Sequence, residues 1–291
     1  MYIKSAFTFL LLLIFSFTLE AKSLLYKTSS STSTVYILGS IHLAKPEIYP
    51  LDKVIEQAYN SSDVLVVELD AESPESAMAM QTAMVQLGMY PNGKSLKTEL
   101  SSQTYKQLEA YAVKTGLPLQ MLEQMRPWVV ILQLSVMEMM RLGYSPELGI
   151  DKHFVDQAKR DKKSILALET IEEQMALLSK DDKEYQDKLL RYTLESMSEM
   201  EPMLNRLSSS WKNGDAKAIE KMFLLSMQDD NNVKEIYDEL VTKRNYMMTE
   251  KIVGYLKTKK DYFVVVGAGH VIGKEGIVDL LQKRGYKVGQ K

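Results

Sequence analysis

A chain of 291 residues with 45% hydrophobic and 25% charged residues carries enough apolar mass for a large folded core, which excludes the disordered and fibrous classes. Its formal net charge of −2 excludes a global basic field that would recruit nucleic acid or an anionic membrane. It contains no cysteine, which excludes disulfides, thiolate metal sites and a lipidated cysteine, so the fold relies on its core alone.

The chain opens with Lys4 and an apolar run over residues 6–19. That run is near the length of an export-signal core and short of the roughly 20 residues that span a bilayer. Residues 1–22 therefore read as a signal peptide removed near residues 21–23, and the protein as exported to a bacterial periplasm or secreted. An uncleaved anchor is the alternative, and membrane contact would then be confined to this segment.

Residues 24–28 and 35–38 are β-prone runs on either side of a Ser/Thr-rich stretch and predict a hairpin whose second strand ends at Gly39. Beyond His42, the stripe Leu51, Val54, Ile55 and Ala58 predicts a helix over 47–59. Residues 64–67 are continuously apolar, as in a strand buried on both faces, and Glu68 follows directly. From 73 to 142 the pattern is helical and rich in methionine, with a Ser73-Pro74 start signal and amphipathic helices over 101–114 and 127–141. Asp151 reads as the cap of a helix running to Arg160, and residues 164–168 as another buried strand, ending at Glu169. A second helical stretch, 171–257, carries Arg244. Residues 262–266 form the final buried strand before Gly-Ala-Gly-His, and a helix over 273–283 and an edge strand over 285–288 close the chain. Two βα units thus stand at the ends, with helical segments between them, which predicts one α/β domain under a helical cap.

The histidines carry the candidate chemistry. GSIH (39–42) and GAGH (267–270) each place a glycine directly after a strand and a histidine three residues later, using two of only three histidines. Strand ends open onto the clefts where α/β folds bind ligands. His42 and His270 would bind one divalent metal, with Glu68 or Glu169 as the carboxylate ligand and the other as general base. A set of nitrogen and oxygen donors leaves zinc, manganese, cobalt and iron open. Arg244 would bind a substrate carboxylate or an oxyanion. The competing reading is structural: each histidine bonds a loop and each glutamate pairs with a base. Asp70 reads as a turn or cap residue and His153 as structural. GxSxG, P-loop, HExxH and GxGxxG motifs are absent, which removes support for serine hydrolase, nucleotide-binding and zincin readings.

The motifs YILGSIHL (36–43), VVELD (66–70), RPW (126–128), GIDKHF followed by ILALET (149–170), KRN (243–245) and VVVGAGHVIGKEGIVDLLQKRGYKV (264–288) resemble those of the TraB/PrgY/GumN family, related to the Tiki metalloproteases. The resemblance implies a central sheet built from two related βα halves, each with a GxxH motif, and helical insertions forming a cap. It implies a single domain over 23–291, with core segments 24–72, 149–171 and 258–291 and insertions 73–148 and 172–257. Carried over by position, the site is His42, His270, Glu68 and Arg244, with Glu169 added. His42, His270 and Glu68 would be metal ligands, and Glu68, Glu169 and Arg244 catalytic. The implied cofactor is a divalent ion (Mn, Co or Zn). The implied activity is that of an exported metal-dependent hydrolase, a peptidase acting on a peptide or small-molecule substrate held by the methionine-rich helices. The alternative is a non-catalytic peptide-binding or sequestering protein of the pheromone-shutdown type.

Overall fold

The computed structural model describes residues 23–71, 73–228, 234 and 237–291; the segment read as a signal peptide, 1–22, lies outside the described residues. The hairpin forms from β1 (Leu25–Ser29) and β2 (Thr34–Ser40), with Leu25 opposite Leu38 and Ser29 opposite Thr34. Its Ser/Thr loop closes on itself, because Ser30 Oγ accepts from the backbone N–H groups of Thr32 and Ser33. β3 (Val64–Val67) and β5 (Tyr262–Gly267) are the buried apolar runs that central parallel strands require. Each fully buried Val, Leu or Phe side chain among them contributes about 1.5–3 kcal/mol of transfer free energy.

With β4 (Ser164–Ala167) and β6 (Val288–Gln290) these strands form a mixed six-stranded sheet in the order β4-β3-β5-β2-β1-β6. β4, β3, β5 and β2 run parallel, and β1 is antiparallel to both β2 and β6. The protein is therefore α/β. Parallel strands need crossovers, and these are helical. α1 (Lys53–Asn60) leads from β2 to β3. Between β3 and β4 lie α2 (Pro74–Gly88), α3 (Leu96–Glu99), α4 (Ser102–Thr115), α5 (Pro127–Arg141) and α6 (Ile150–Asp161). Between β4 and β5 lie α7 (Ile171–Leu178), α8 (Lys183–Ser196), α9 (Met200–Lys212), α10 (Ala216–Gln228) and α11 (Lys243–Tyr255). α12 (Ala268–Val271) and α13 (Ile277–Lys283) follow β5.

The main core is the sheet with its flanking helices. The rings of Tyr59, Phe154 and Phe263 sit 4.8 to 5.7 Å apart and join α1 and α6 to β5, while Trp211, Ile219, Met248 and Ile252 add α9, α10 and α11. A separate apolar cluster of Leu96, Leu108, Val130, Leu134 and Leu190 holds α3, α4, α5 and α8 together. A third, of Trp128, Val129, Ile171 and Met175 with partly buried Met84, joins α2 and α7 to the start of α5.

Four expectations are corrected in detail. The helix expected over 47–59 is interrupted, and a single 3-10 turn (Pro46–Ile48) precedes α1, because Pro50 offers no N–H to continue the ladder. β4 is not buried: it pairs only with β3, forms one edge of the sheet, and leaves Leu166 41% exposed. The helix expected from 273 begins only at Ile277, since Gly273 (φ 81°) and Glu275 (φ 63°) hold a left-handed turn ahead of it. The closing strand lies at Val288–Gln290, beyond the span 285–288 expected for it.

Candidate active site

The parallel register determines what meets what. Ser40 on β2 stands opposite Gly267 on β5, so the two GxxH segments leave the sheet side by side. Val67 stands opposite both Val265 and Ala167, which puts Glu68 and Glu169 at the same rim, and Glu169 N–H donates to Glu68 O at 3.0 Å. A Cβ placed on Gly267 would lie 3.5 Å from His42 Nε2, 3.6 Å from Glu68 Oε2 and 3.6 Å from His270 Cδ2. Side chains from three different strand ends therefore surround one point, and the glycine leaves that point clear.

Both imidazoles are held from behind. Asp151 Oδ1 accepts from Ser40 Oγ at 2.8 Å and Oδ2 lies 2.9 Å from His42 Nδ1. Gly149 allows this approach, since a Cβ there would meet His42 O at 2.2 Å. The Asp151 charge, opposed by burial and helped by its hydrogen bond, raises the His42 pKa to about 9. Because 58% of the His42 side chain is open to solvent, that contact is partly screened. His270 is buried, and its Nδ1 lies 2.7 Å from Asn245 Oδ1. Asn245 Nδ2 donates to Glu275 O at 2.8 Å, which fixes the amide so that its oxygen faces the ring. His270 Nδ1 is then the protonated nitrogen and Nε2 the free lone pair, 3.8 Å from Glu68 Oε1. Burial lowers the His270 pKa to about 4, so the ring is neutral at pH 7.

The carboxylates are organised by one cation. Arg244 Nε donates to Glu169 Oε1 at 2.7 Å and Nη2 to Glu169 Oε2 at 2.6 Å, a two-pronged pair. Nη2 also donates to Glu68 Oε1, and Nη1 to Leu240 O at 2.8 Å. Gln174 Nε2 bridges the two glutamates at 3.2 and 3.0 Å. Its helix α7 starts immediately after Glu169 because Thr170 and Glu173 form a reciprocal cap. Burial alone would push the Glu68 carboxyl up; the charges of His270, Arg244 and His42, with the Gly267 N–H at 3.2 Å, hold it at about 2.

Every sequence-selected residue thus reaches one rim: His42, Glu68, Glu169, Arg244 and His270. Glu169 has both oxygens taken by Arg244 and Gln174, whereas Glu68 Oε2, which accepts from Gly267 N–H, borders the open point beside Gly267. His153, 3.4 Å from Glu56, packs between Tyr49 and Phe154 away from the rim. Asp151, Asn245 and Gln174 also reach the site, and the strand-exit pattern does not mark them. Asp151 is not the helix cap, a place that Gly149 takes; its carboxylate serves His42. The available signals were the GID and KRN motifs that contain Asp151 and Asn245.

Donor chemistry fits a metal: two imidazoles with Nδ1 tied and Nε2 turned inward, plus one carboxylate oxygen. As arranged, no group of three or more His, Asp or Glu side chains among the described residues is disposed to hold a metal ion. Beside this rim, α2 and α7 enclose an apolar groove of about 590 Å³ walled by Met78, Ala83, Leu87, Ile171 and Met175. It starts at the N-terminal ends of the two helices that follow Glu68 and Glu169.

The sequence profile of the TraB/PrgY/gumN family matches residues 24–290. The chain belongs to that family. It is 24% identical over 250 residues to the uncharacterized protein YbaP of Escherichia coli, covering 85% of this chain and 87% of YbaP. It is 25% identical over 303 residues to Metalloprotease TIKI2 of Xenopus tropicalis (87% of this chain, 57% of TIKI2) and 24% identical over 302 residues to Metalloprotease TIKI1 of Danio rerio (87% and 60%). The chain therefore spans about three-fifths of the length of these TIKI proteins. No solved structure matches it.

Proposed function

We propose that this TraB/PrgY/gumN protein is an exported metal-dependent hydrolase that cleaves peptides. The observation that carries the reading is the convergence of His42 Nε2, Glu68 Oε2 and the His270 ring on the open point beside Gly267. Relatives named metalloproteases support the reaction class, and the apolar run at 6–19 supports export. His42, His270 and Glu68 would hold the ion, manganese, cobalt or zinc. When bound, it would supply Lewis acidity and lower the pKa of a water.

The protein's own groups do the rest. Asp151 and Asn245 hold each imidazole with Nε2 inward. A carboxyl held at about 2 is a good anionic ligand and a poor base, which supports Glu68 as the ligand. Glu169 acts as base only if Arg244 releases one of its oxygens, so Arg244 couples the two carboxylates. The α2–α7 groove would receive an apolar side chain of the substrate.

Metal-stripped protein, resupplied with manganese, cobalt or zinc and offered a peptide library, tests this. Cleavage that needs metal and disappears in both His42→Ala and His270→Ala is expected. Metal content unchanged in those variants defeats the site assignment. The grip of Arg244 on Glu68 favours a second reading, a peptide-binding or sequestering protein without turnover, and peptide binding without cleavage under every metal would establish it.

A further inference from the structure

The two edges of the sheet are protected differently. β6 is 3 residues long, lies between Lys287 and Lys291, and has its Gln290 side chain tied to Ser23 O and Gly214 O. A short strand flanked by lysines is a common guard against edge pairing. β4, Ser-Ile-Leu-Ala, has no charge, proline or glycine within it, and its far side has no strand partner among the described residues. Ser164, Leu166 and Ala167 are exposed. The hydrogen bonds show which groups this edge offers. Val64 N–H donates to Asp261 O at 3.2 Å, so Val64 and Val66 bond toward β5 while Leu65 and Val67 bond toward β4. Leu168 N–H reaches Val67 O at 2.9 Å, so Ser164 and Leu166 bond inward to β3 as well. The N–H and C=O of Ile165 and Ala167 therefore point away from the sheet, two donors and two acceptors at strand spacing. Another extended backbone matches all four. Ala167 stands two residues before Glu169, so a chain added here runs to the rim that holds the candidate site. Exposed Arg160 and Lys162 stand at the entry to β4, and exposed Glu172 beyond its exit.

We propose that the free edge of β4 binds an extended peptide segment as an antiparallel seventh strand, its C-terminal end toward Arg160 and Lys162 and its N-terminal end toward Glu172. The inference rests on the reading above in taking a peptide as the ligand, whether or not that peptide is cleaved. The peptide residue opposite Leu166 forms a non-hydrogen-bonded pair, in which side chains lie closest, so an apolar β-branched residue there covers a leucine that is 41% exposed. Four residues of strand span about 13 Å. That is little edge for the roughly 800 Å² per partner of a stable dimer, and enough for a peptide.

The test follows, by fluorescence anisotropy of the purified full chain with a chelator present to stop any turnover, a labelled hexapeptide of alternating threonine and valine that ends in a free carboxylate. Two doubly N-methylated forms are compared. Methyl groups on alternate amides can all face away from β4, whereas of two adjacent amides one must face it. The adjacent form should bind at least about tenfold more weakly than the parent peptide, and the alternate form within about threefold of it. Ala167→Pro removes an outward N–H and no bond to β3, so it should weaken binding by about tenfold with Tm nearly unchanged. Should that variant fail to fold, the methylated pair decides on the unaltered chain. A nitroxide on the peptide's N-terminus should broaden the amide signals of 170–173 in NMR spectra and leave 160–163 sharp; the reverse pattern overturns the orientation. Equal loss for the two methylated forms, or no binding of the hexapeptide at millimolar concentration, overturns the inference. Failure of every peptide in the library above would instead defeat the peptide reading on which it rests. A dimer in sedimentation that Ala167→Pro dissociates overturns it in favour of a second copy of this chain.

Discussion

Replacing Arg244 with methionine removes the guanidinium that stands between two buried carboxylates. Glu68 and Glu169 are both at least nine-tenths buried, and the Arg244 side chain is 12% exposed, so water cannot take over its role without opening the rim. Removing one partner from a buried ion pair costs roughly 3–5 kcal/mol because the remaining charge is uncompensated. In a protein of this size that corresponds to a Tm about 6–20 °C lower. The sign of the pH dependence separates this cause from lost packing. In the unaltered protein the Glu68 pKa is lowered to about 2, so its contribution to stability is present above its ordinary value of 4.5 and lost as pH falls toward 2. Without Arg244 the folded Glu68 carboxyl titrates upward, so the deficit is full at pH 7.5 and shrinks as it protonates. Urea unfolding at pH 7.5 and near pH 4.5 measures both. A triple variant, Arg244→Met with Glu68→Gln and Glu169→Gln, should recover most of the loss. A deficit under about 1 kcal/mol at pH 7.5, or one equal at both pH values, would refute the reasoning.

Gly267→Ala should retain the fold, because its Cβ meets His42, Glu68 and His270 at ordinary contact distances of 3.5–3.6 Å and the residue's φ of −49° suits any side chain, yet it fills the point they share. Metal binding by calorimetry should fall at least about tenfold with Tm nearly unchanged. Gly149→Ala, whose Cβ would lie 2.2 Å from His42 O, should instead lower Tm sharply in a thermal scan. His270 titrates at about 4 folded against 6.5 unfolded, so stability is undiminished above pH 6.5 and falls by on the order of 3 kcal/mol between pH 6.5 and 4. Denaturant midpoints across that window should show the slope, and His270→Gln should flatten it. His42 has the opposite sign: its pairing with Asp151 stabilises fully below pH 6.5 and is lost as pH rises through about 9. Asp151→Asn should bring the His42 titration, followed by NMR, back toward 6.5.

The strand ends were legible because parallel strands announce themselves as continuous apolar runs and a polar residue directly after one must emerge at the rim. Glu68 and Glu169 are legible that way and His42 and His270 through the GxxH pattern, and the register of β2 on β5 makes the two GxxH segments neighbours. What escaped was whatever depends on a distant element. Asp151 looked like a cap because a carboxylate near a helix start usually is one, and nothing local shows that His42, 109 residues earlier, lies 2.9 Å away. Asn245 and Gln174 sit inside helices whose periodicity reports only which face is apolar. Pro50 is visible in the sequence, yet the stripe through Leu51 and Val54 points to a helix across a residue that cannot continue one. β4 has the composition of a central strand and lies at an edge, since order across a sheet is a tertiary property.

The charges around the rim bear on what it can hold. Without metal, His42 at about 9 and Arg244 supply two positive charges against the carboxylates of Glu68, Glu169 and Asp151. A ligand at His42 Nε2 must displace the proton there, and affinity for metal should therefore rise with pH up to about 9. Once that proton leaves, Arg244 alone faces three carboxylates and the cluster carries two uncompensated negative charges. A divalent cation cancels them, whereas a monovalent ion leaves one and a water leaves both. Arg244 and the cation would then compete for Glu68, whose Oε1 the guanidinium holds and whose Oε2 borders the open point beside Gly267. Were Glu68 to bind a cation, as proposed above, Arg244 would still be held by Glu169 through the two-pronged pair, so the second glutamate would keep the guanidinium in place.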